Sequence, residues 1–107
     1  MTEPAYLVLL ALADGPRHGY GIVQEVLALS DGDVRLGAGT LYGVLDRLVA
    51  AGQVKPDREE VVDGRLRRYY RITESGSAAA AAETERLATL ARRARRALAP
   101  RPALGNA

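Results

Sequence analysis

Cysteine is absent from this chain of 107 residues, and histidine occurs once, as His18. Without Cys there is no disulfide, no thiolate metal site and no thiol nucleophile. A single His excludes a His-based metal cluster and a Ser–His–Asp triad. No nucleophile–base pair or ligand set can be assembled from this inventory, so the chain reads as a non-enzyme with no metal and no cofactor. Phe and Trp are missing too, and Ala, Leu and Val supply most of the 48% hydrophobic content. That composition is globular rather than disordered, but the core it can build is aliphatic and shallow. Such a core gains stability by burying part of itself in a second copy. The longest apolar run, Ala5 to Ala13, is nine residues long and ends at Asp14. It is too short to span a bilayer and no cationic segment precedes it, so the cytoplasm is the expected location, with no membrane as partner.

Each half of the chain is poor in charge of one sign. Residues 1–63 carry five basic groups against ten acidic ones (net −5), and residues 64–107 carry ten Arg against three Glu (net +7). Fourteen of the fifteen cations are Arg, the side chain that grips phosphates and base edges in bidentate fashion. A merely solvated basic surface is the equally simple alternative until the arginines are placed.

Thr2-Glu3-Pro4 marks a helix start: a hydroxyl cap, an anion in the first turn and a Pro where Pro is tolerated. The helix runs to Ala13, apolar nearly all round, a pattern that demands cover on more than one side. A second helix spans about His18 to Ser30, with Tyr20, Val23, Leu27 and Ile22, Val26, Leu29 in two adjacent rows. A third spans about Thr40 to Ala51, with Leu41, Leu45, Leu48 and Val49 as its buried stripe and Gly52 as its C′ residue. Thereafter the period changes to two. Gln53 to Val61 and Arg65 to Ile72 read as strands joined at Asp63-Gly64, a strong hairpin signal. Alternation puts Arg65, Arg67, Tyr69 and Arg71 on one face of the second strand, and Leu66, Arg68, Tyr70 and Ile72 on the other. Thr73-Glu74 caps a long helix to about Leu98, in which Ala80, Thr84, Leu87, Ala91, Ala94 and Leu98 form a narrow seam suited to a partner helix. Arg92, Arg93, Arg95 and Arg96 cover its far end, and the tail 99–107 reads as frayed.

Three helices followed by an Arg-bearing hairpin is the order of a winged helix-turn-helix, and the fold class expected is mainly α with a small β-hairpin and a long C-terminal dimerisation helix. The third helix can enter a major groove about 12 Å wide, the second can cross the phosphate backbone, and the hairpin can reach phosphates or the adjacent minor groove. The stretch R-L-R-R-Y-Y-R after Asp63-Gly64 is the most informative. Four arginines in seven residues are poorly explained by a core and need a counter-charge.

Three stretches carry a resemblance: L-L-A-L-A-D-G-P-R-H-G-Y-G-I (9–22), L-G-A-G-T-L-Y-G-V-L-D-R-L (36–48) and D-G-R-L-R-R-Y-Y-R-I-T-E-S-G (63–76). In order and spacing they are similar to the PadR family of bacterial transcriptional regulators. The resemblance implies a homodimeric winged-helix repressor, sometimes released by a small phenolic or drug-like aromatic effector. A single C-terminal helix matches the family's short branch. Where the family often has Pro in G-P-G-T-L-Y this chain has Ala38, and it has none of the Trp with which some members trap planar drugs.

The residues expected at double-stranded DNA are Thr40, Tyr42, Gly43 and Arg47 on the third helix and Arg65, Arg67 and Tyr69 on the hairpin. Thr40 reads as a helix cap and phosphate neighbour. Tyr42 stands off the leucine stripe, while Arg47 is open to two roles, pairing with a nearby acid or reaching the DNA backbone. Tyr20 reads as packing, Gly19 as allowing close backbone approach, and Arg68 and Tyr70 as bracing the hairpin against the helices. The expected dimer interface joins the first helix (Leu7, Leu10) to the last (Thr84, Leu87, Leu90, Ala91, Ala94, Leu98). The rival reading is a winged-helix protein–protein adaptor without DNA binding, favoured by Ala38 and the acidic first half and disfavoured by the hairpin arginines.

Overall fold

The chain folds from short pieces whose limits follow from their caps. A computed structural model describes residues 1–101 and gives helices α1 (Glu3–Ala11), α2 (Gly19–Leu29), α3 (Ala38–Ala50) and α4 (Glu74–Leu98). Strands β1 (Arg17–His18), β2 (Val54–Val62) and β3 (Arg65–Ile72) complete it. The Thr2 hydroxyl accepts from the Ala5 N–H and starts α1, which ends two residues before the Ala13 expected from its apolar run. Gly37, not Thr40, is the N-cap of α3, so Thr40 lies inside the first turn. A glycine there satisfies the extended cap geometry without a side chain, which is why the hydroxyl-based expectation fell three residues late. Gly52 ends α3 as expected, with φ +74°. Its N–H donates to the Val49 carbonyl at 3.0 Å and the Gln53 N–H to that of Leu48 at 2.9 Å, a Schellman pair.

The sheet has three antiparallel strands in the order β1-β3-β2, one more than the expected hairpin, because Arg17 and His18 pair with Tyr70 and Tyr69. Two residues carry no periodicity, so β1 exists only through its tertiary partner. β2 is an edge strand, which accommodates Pro56 and the register shift between Pro56 and Glu59. The two-residue turn has Asp63 at φ 51° and Gly64 at φ 75°, the left-handed pair that a type I′ hairpin requires.

The core is aliphatic, as the composition demands. Val8, Leu9, Ala11 and Leu12 pack with Ile22 and Val26 of α2, Leu41, Val44, Leu45 and Leu48 of α3, Val54, and Ala80 of α4. Val44 takes the place expected of Val49, which is exposed, because the stripe follows the i, i+3, i+4, i+7 row through Leu41. α1 is largely covered within its own chain, contrary to the expectation that a second copy must cover it, and Leu7 is only 8% exposed. Thr73 anchors α4: its hydroxyl accepts from the Gly76 N–H at 3.0 Å and donates to the Gly52 carbonyl at 2.6 Å. Gly76 is buried against Gln53, whose carbonyl oxygen a Cβ would overlap. Beyond this anchor α4 projects. The described chain measures 73 × 27 × 21 Å with a radius of gyration of 18.3 Å, against about 13 Å for a compact chain of this size. Among the described residues no helix is long and apolar enough to cross a membrane. The tail expected over 99–107 falls outside the described residues from 102 onward.

Candidate nucleic-acid interface

At about 100° per residue, the row opposite the buried leucines of α3 consists of Gly39, Gly43, Asp46 and Ala50. Three of these four project almost nothing. No atom outside the helix lies within 4 Å of a Cβ built on Gly39, and on Gly43 only the Arg47 Nη2 does, at 3.7 Å. The α3 backbone can therefore approach another surface closely at these three positions, with Asp46 the one exposed side chain that projects from the row. Tyr42 and Val49 flank this edge on one side, Thr40 and Arg47 on the other.

Tyr42 is 46% exposed, and its hydroxyl rests over the start of α2, where a Cβ on Gly19 would stand 2.7 Å from it. Gly19 is needed for that approach. Burial raises the Tyr70 pKa, with Tyr42 and Asp46 adding to the rise against the attraction of Arg68, and Tyr70 packs against the core to which α3 contributes Leu41 and Leu45. Arg47 forms no ion pair among the described residues; its Nε donates to the Gly43 carbonyl at 3.2 Å. Of its two expected roles, the pairing with a nearby acid is not formed among the described residues.

The counter-charge that the hairpin arginines require comes from β2. Arg68 pairs with Glu59 at 3.3 Å and Arg71 with Asp57 at 3.6 Å, so Arg68 braces the hairpin across its own strands rather than against the helices. Tyr70 does pack against the core. Arg65 and Arg67 form no ion pair among the described residues, and they share the face where both were expected to act. Tyr69, also expected at DNA, is half-buried: the Arg58 guanidinium lies 4.0 Å over its ring, and the His18 ring meets it edge-on at 5.3 Å. Its ring ties β1 and β2 to β3, through His18 and Arg58. Desolvation lowers the His18 pKa, and Arg67 lowers it further against the pull of Glu60. Arg17, bonded to the Ala11 carbonyl at 2.8 Å and paired with Asp14 and Glu25, is occupied inside the fold.

Tyr20 corrects the sequence reading. It is 66% exposed in the first turn of α2, between Gly19 and Gly21 and beside the unpaired N–H groups of that turn. A tyrosine flanked by glycines just after a strand-forming pair was the available signal, but its place in an apolar row masked it. On the opposite end of the molecule, Leu87, Leu90 and Leu98 of α4 are exposed, whereas Thr84 is engaged by Tyr6 at 2.6 Å. Leu10, Ala91 and Ala94 are half-buried.

Residues 8–82 match the model of the transcriptional regulator PadR-like family. The chain belongs to that family. Members of the PadR-like family are transcriptional regulators rather than enzymes. The chain is 42% identical over 85 residues to the transcriptional regulator Rv3488 of Mycobacterium tuberculosis, covering 79% of this chain and 76% of that protein. Its fold is shared with a PadR family regulator from Clostridium difficile at TM-score 0.77 and 19% identity, over 91% of this chain and 99% of the other. Bacillus subtilis PadR, solved in complex with operator DNA, superposes at TM-score 0.65 and 20% identity, over 75% of this chain and 45% of that one.

Proposed function

We propose that this PadR-like regulator is a homodimeric repressor that binds double-stranded DNA at an inverted repeat. The observation that carries the reading is the bare outer edge of α3, Gly39, Gly43 and Ala50, with Tyr42 beside it and the unpaired Arg65 and Arg67 on the adjoining hairpin. A helix bare at three of the four positions of one row, with Asp46 its one projecting side chain, seats closely in a major groove, and side chains on its flanks then meet base edges. That B. subtilis PadR, which shares this fold, was solved in complex with operator DNA supports the DNA-binding reading. Tyr20 and the free N–H groups at the start of α2 suit a phosphate of the adjacent backbone, as in other helix-turn-helix domains.

The dimer reading rests on α4. Leu87, Leu90 and Leu98 lie exposed on a helix that extends well beyond its own domain, and Leu98 keeps 82% of its surface. Two such helices from a symmetric pair bury each other's leucines and set two α3 helices on one face of DNA. A small aromatic effector has room in a cleft of about 400 Å³ between α1 and α3, walled by Ala5, Val44 and Leu48 with Arg47 at its edge. An effector anion on Arg47 would draw that side chain away from DNA.

Mobility-shift titration of the protein's own upstream region, with wild type and Leu87→Asp/Leu90→Asp, tests the proposal. Wild type should be a dimer by light scattering and shift the duplex; the variant should be monomeric and bind at least tenfold more weakly. A wild type that is monomeric at micromolar concentration, or that ignores DNA, refutes it.

A further inference from the structure

The far end of the hairpin carries an apolar pair that neither the core nor the ion pairs explain. Val61 and Leu66 are directly paired across β2 and β3, next to the Asp63-Gly64 turn. They are 69% and 55% exposed. Strand alternation puts both on the face that carries Tyr70 and Arg68, and Tyr70 packs against the core that Leu41 and Leu45 of α3 help to build. The apolar pair therefore lies farther along the face of the hairpin that packs against the helices near its base. Arg65 and Arg67, neighbours of Leu66, stand on the opposite face of β3 without ion partners among the described residues.

We propose that Val61 and Leu66 seat against the minor groove beside each half-site and select A·T pairs there. This rests on the DNA-binding reading above. When α3 lies in a major groove, the surface continuous with it but displaced along the hairpin meets the next groove. That groove is about 6 Å wide, and its floor distinguishes A·T from G·C through the guanine 2-amino group. An aliphatic pair offers that amine no acceptor and takes away its water, so a G·C pair under the pair is disfavoured, whereas an A·T floor has no donor to strand. Aliphatic side chains placed against minor-groove base steps are a recurrent device of proteins that bind there. Asp63 at the apex repels phosphates, so contact falls on the flat face of the pair and not on the turn itself.

The test uses full-length protein and three duplexes of its footprinted operator that differ only at the flank the hairpin protects: A·T, G·C, or inosine·C, which lacks the 2-amino group. Wild type should bind the A·T and inosine·C duplexes alike and the G·C duplex about tenfold more weakly, comparable to one mismatched pair. Val61→Thr/Leu66→Thr, which keeps strand propensity at two exposed positions, should reduce that difference to less than twofold while leaving preferences under α3 unchanged. Asp63→Asn keeps a favourable type I′ turn and should tighten binding to all three. A double variant that discriminates as wild type does, or a wild type indifferent between G·C and inosine·C, overturns the proposal. A variant that alters the stoichiometry on DNA but keeps the flank preference assigns the pair to protein contact instead. Wild type that binds no duplex overturns the DNA-binding reading, and this inference with it.

Discussion

Gly43→Ala separates stability from function in α3. In a helix interior Gly is less favourable than Ala by about 1 kcal/mol, because it loses more backbone freedom on folding. Nothing in the fold demands glycine at this position. A Cβ there would meet only the Arg47 Nη2, at 3.7 Å, which is ordinary van der Waals contact with the end of a flexible side chain. Gly43 lies in helical conformation, so no left-handed φ is at stake. The substitution should therefore stabilise the protein by about 1 kcal/mol, a rise in Tm of about 4–8 °C for a domain of this size. The same methyl group stands on the row that we assign to the groove, where it would hold the α3 backbone away from the bases. Operator affinity should fall about tenfold, comparable to one mismatched base pair. Thermal unfolding by circular dichroism and mobility-shift titration of the same preparation give both numbers. A lower Tm would show that the glycine serves packing; a higher Tm with unchanged affinity would remove α3's outer row from the interface.

Gly76→Ala should behave in the opposite way: the same gain in helix propensity is outweighed by overlap with the Gln53 carbonyl, for a net loss of about 1–3 kcal/mol by chemical denaturation. Replacing both Arg65 and Arg67 by Ala should flatten the slope of log K against log salt by about 0.9 for each phosphate that is no longer neutralised. The pair Arg68 and Arg71, already neutralised by Glu59 and Asp57, should change it less. Tyr42→Ala should weaken discrimination between operator and random DNA by about 1–3 kcal/mol if its ring meets a base edge. His18 has a pKa lowered in the fold, so the unfolded chain binds its proton more readily; stability should be constant above pH 6.5 and decline as pH falls below it. His18→Asn should remove that part of the decline in Tm measured from pH 7.5 to 5.

Local chemistry made several elements legible before the fold was known. Asp63-Gly64 specified a two-residue hairpin because few other residue pairs tolerate two successive positive φ values, and Gly52 specified the end of α3 for the same kind of reason. Thr73 was legible as a cap because its hydroxyl acts within three residues. What escaped the sequence depends on partners distant in the chain. β1 is two residues long and exists only because β3 lies beside it. Tyr20 sits in an apolar row yet faces outward, since Ile22 and Val26 already fill the α2 side of the core. The division of the hairpin arginines into paired Arg68 and Arg71 and unpaired Arg65 and Arg67 depends on the register with Asp57 and Glu59, which no pattern within β3 encodes. The acidic character of the first half is explained in part by the same pairing.

Selection of bound duplexes from a random pool, followed by hydroxyl-radical footprinting of the winners, tests the central claim most directly. A symmetric dimer with an α3 helix in each of two major grooves predicts an inverted repeat whose half-site centres are one helical turn apart, roughly 34–36 Å. Protection should appear on one face of the duplex, with minor-groove protection beside each half-site. A single unrepeated half-site, or a pool that never converges on a sequence, would contradict the account.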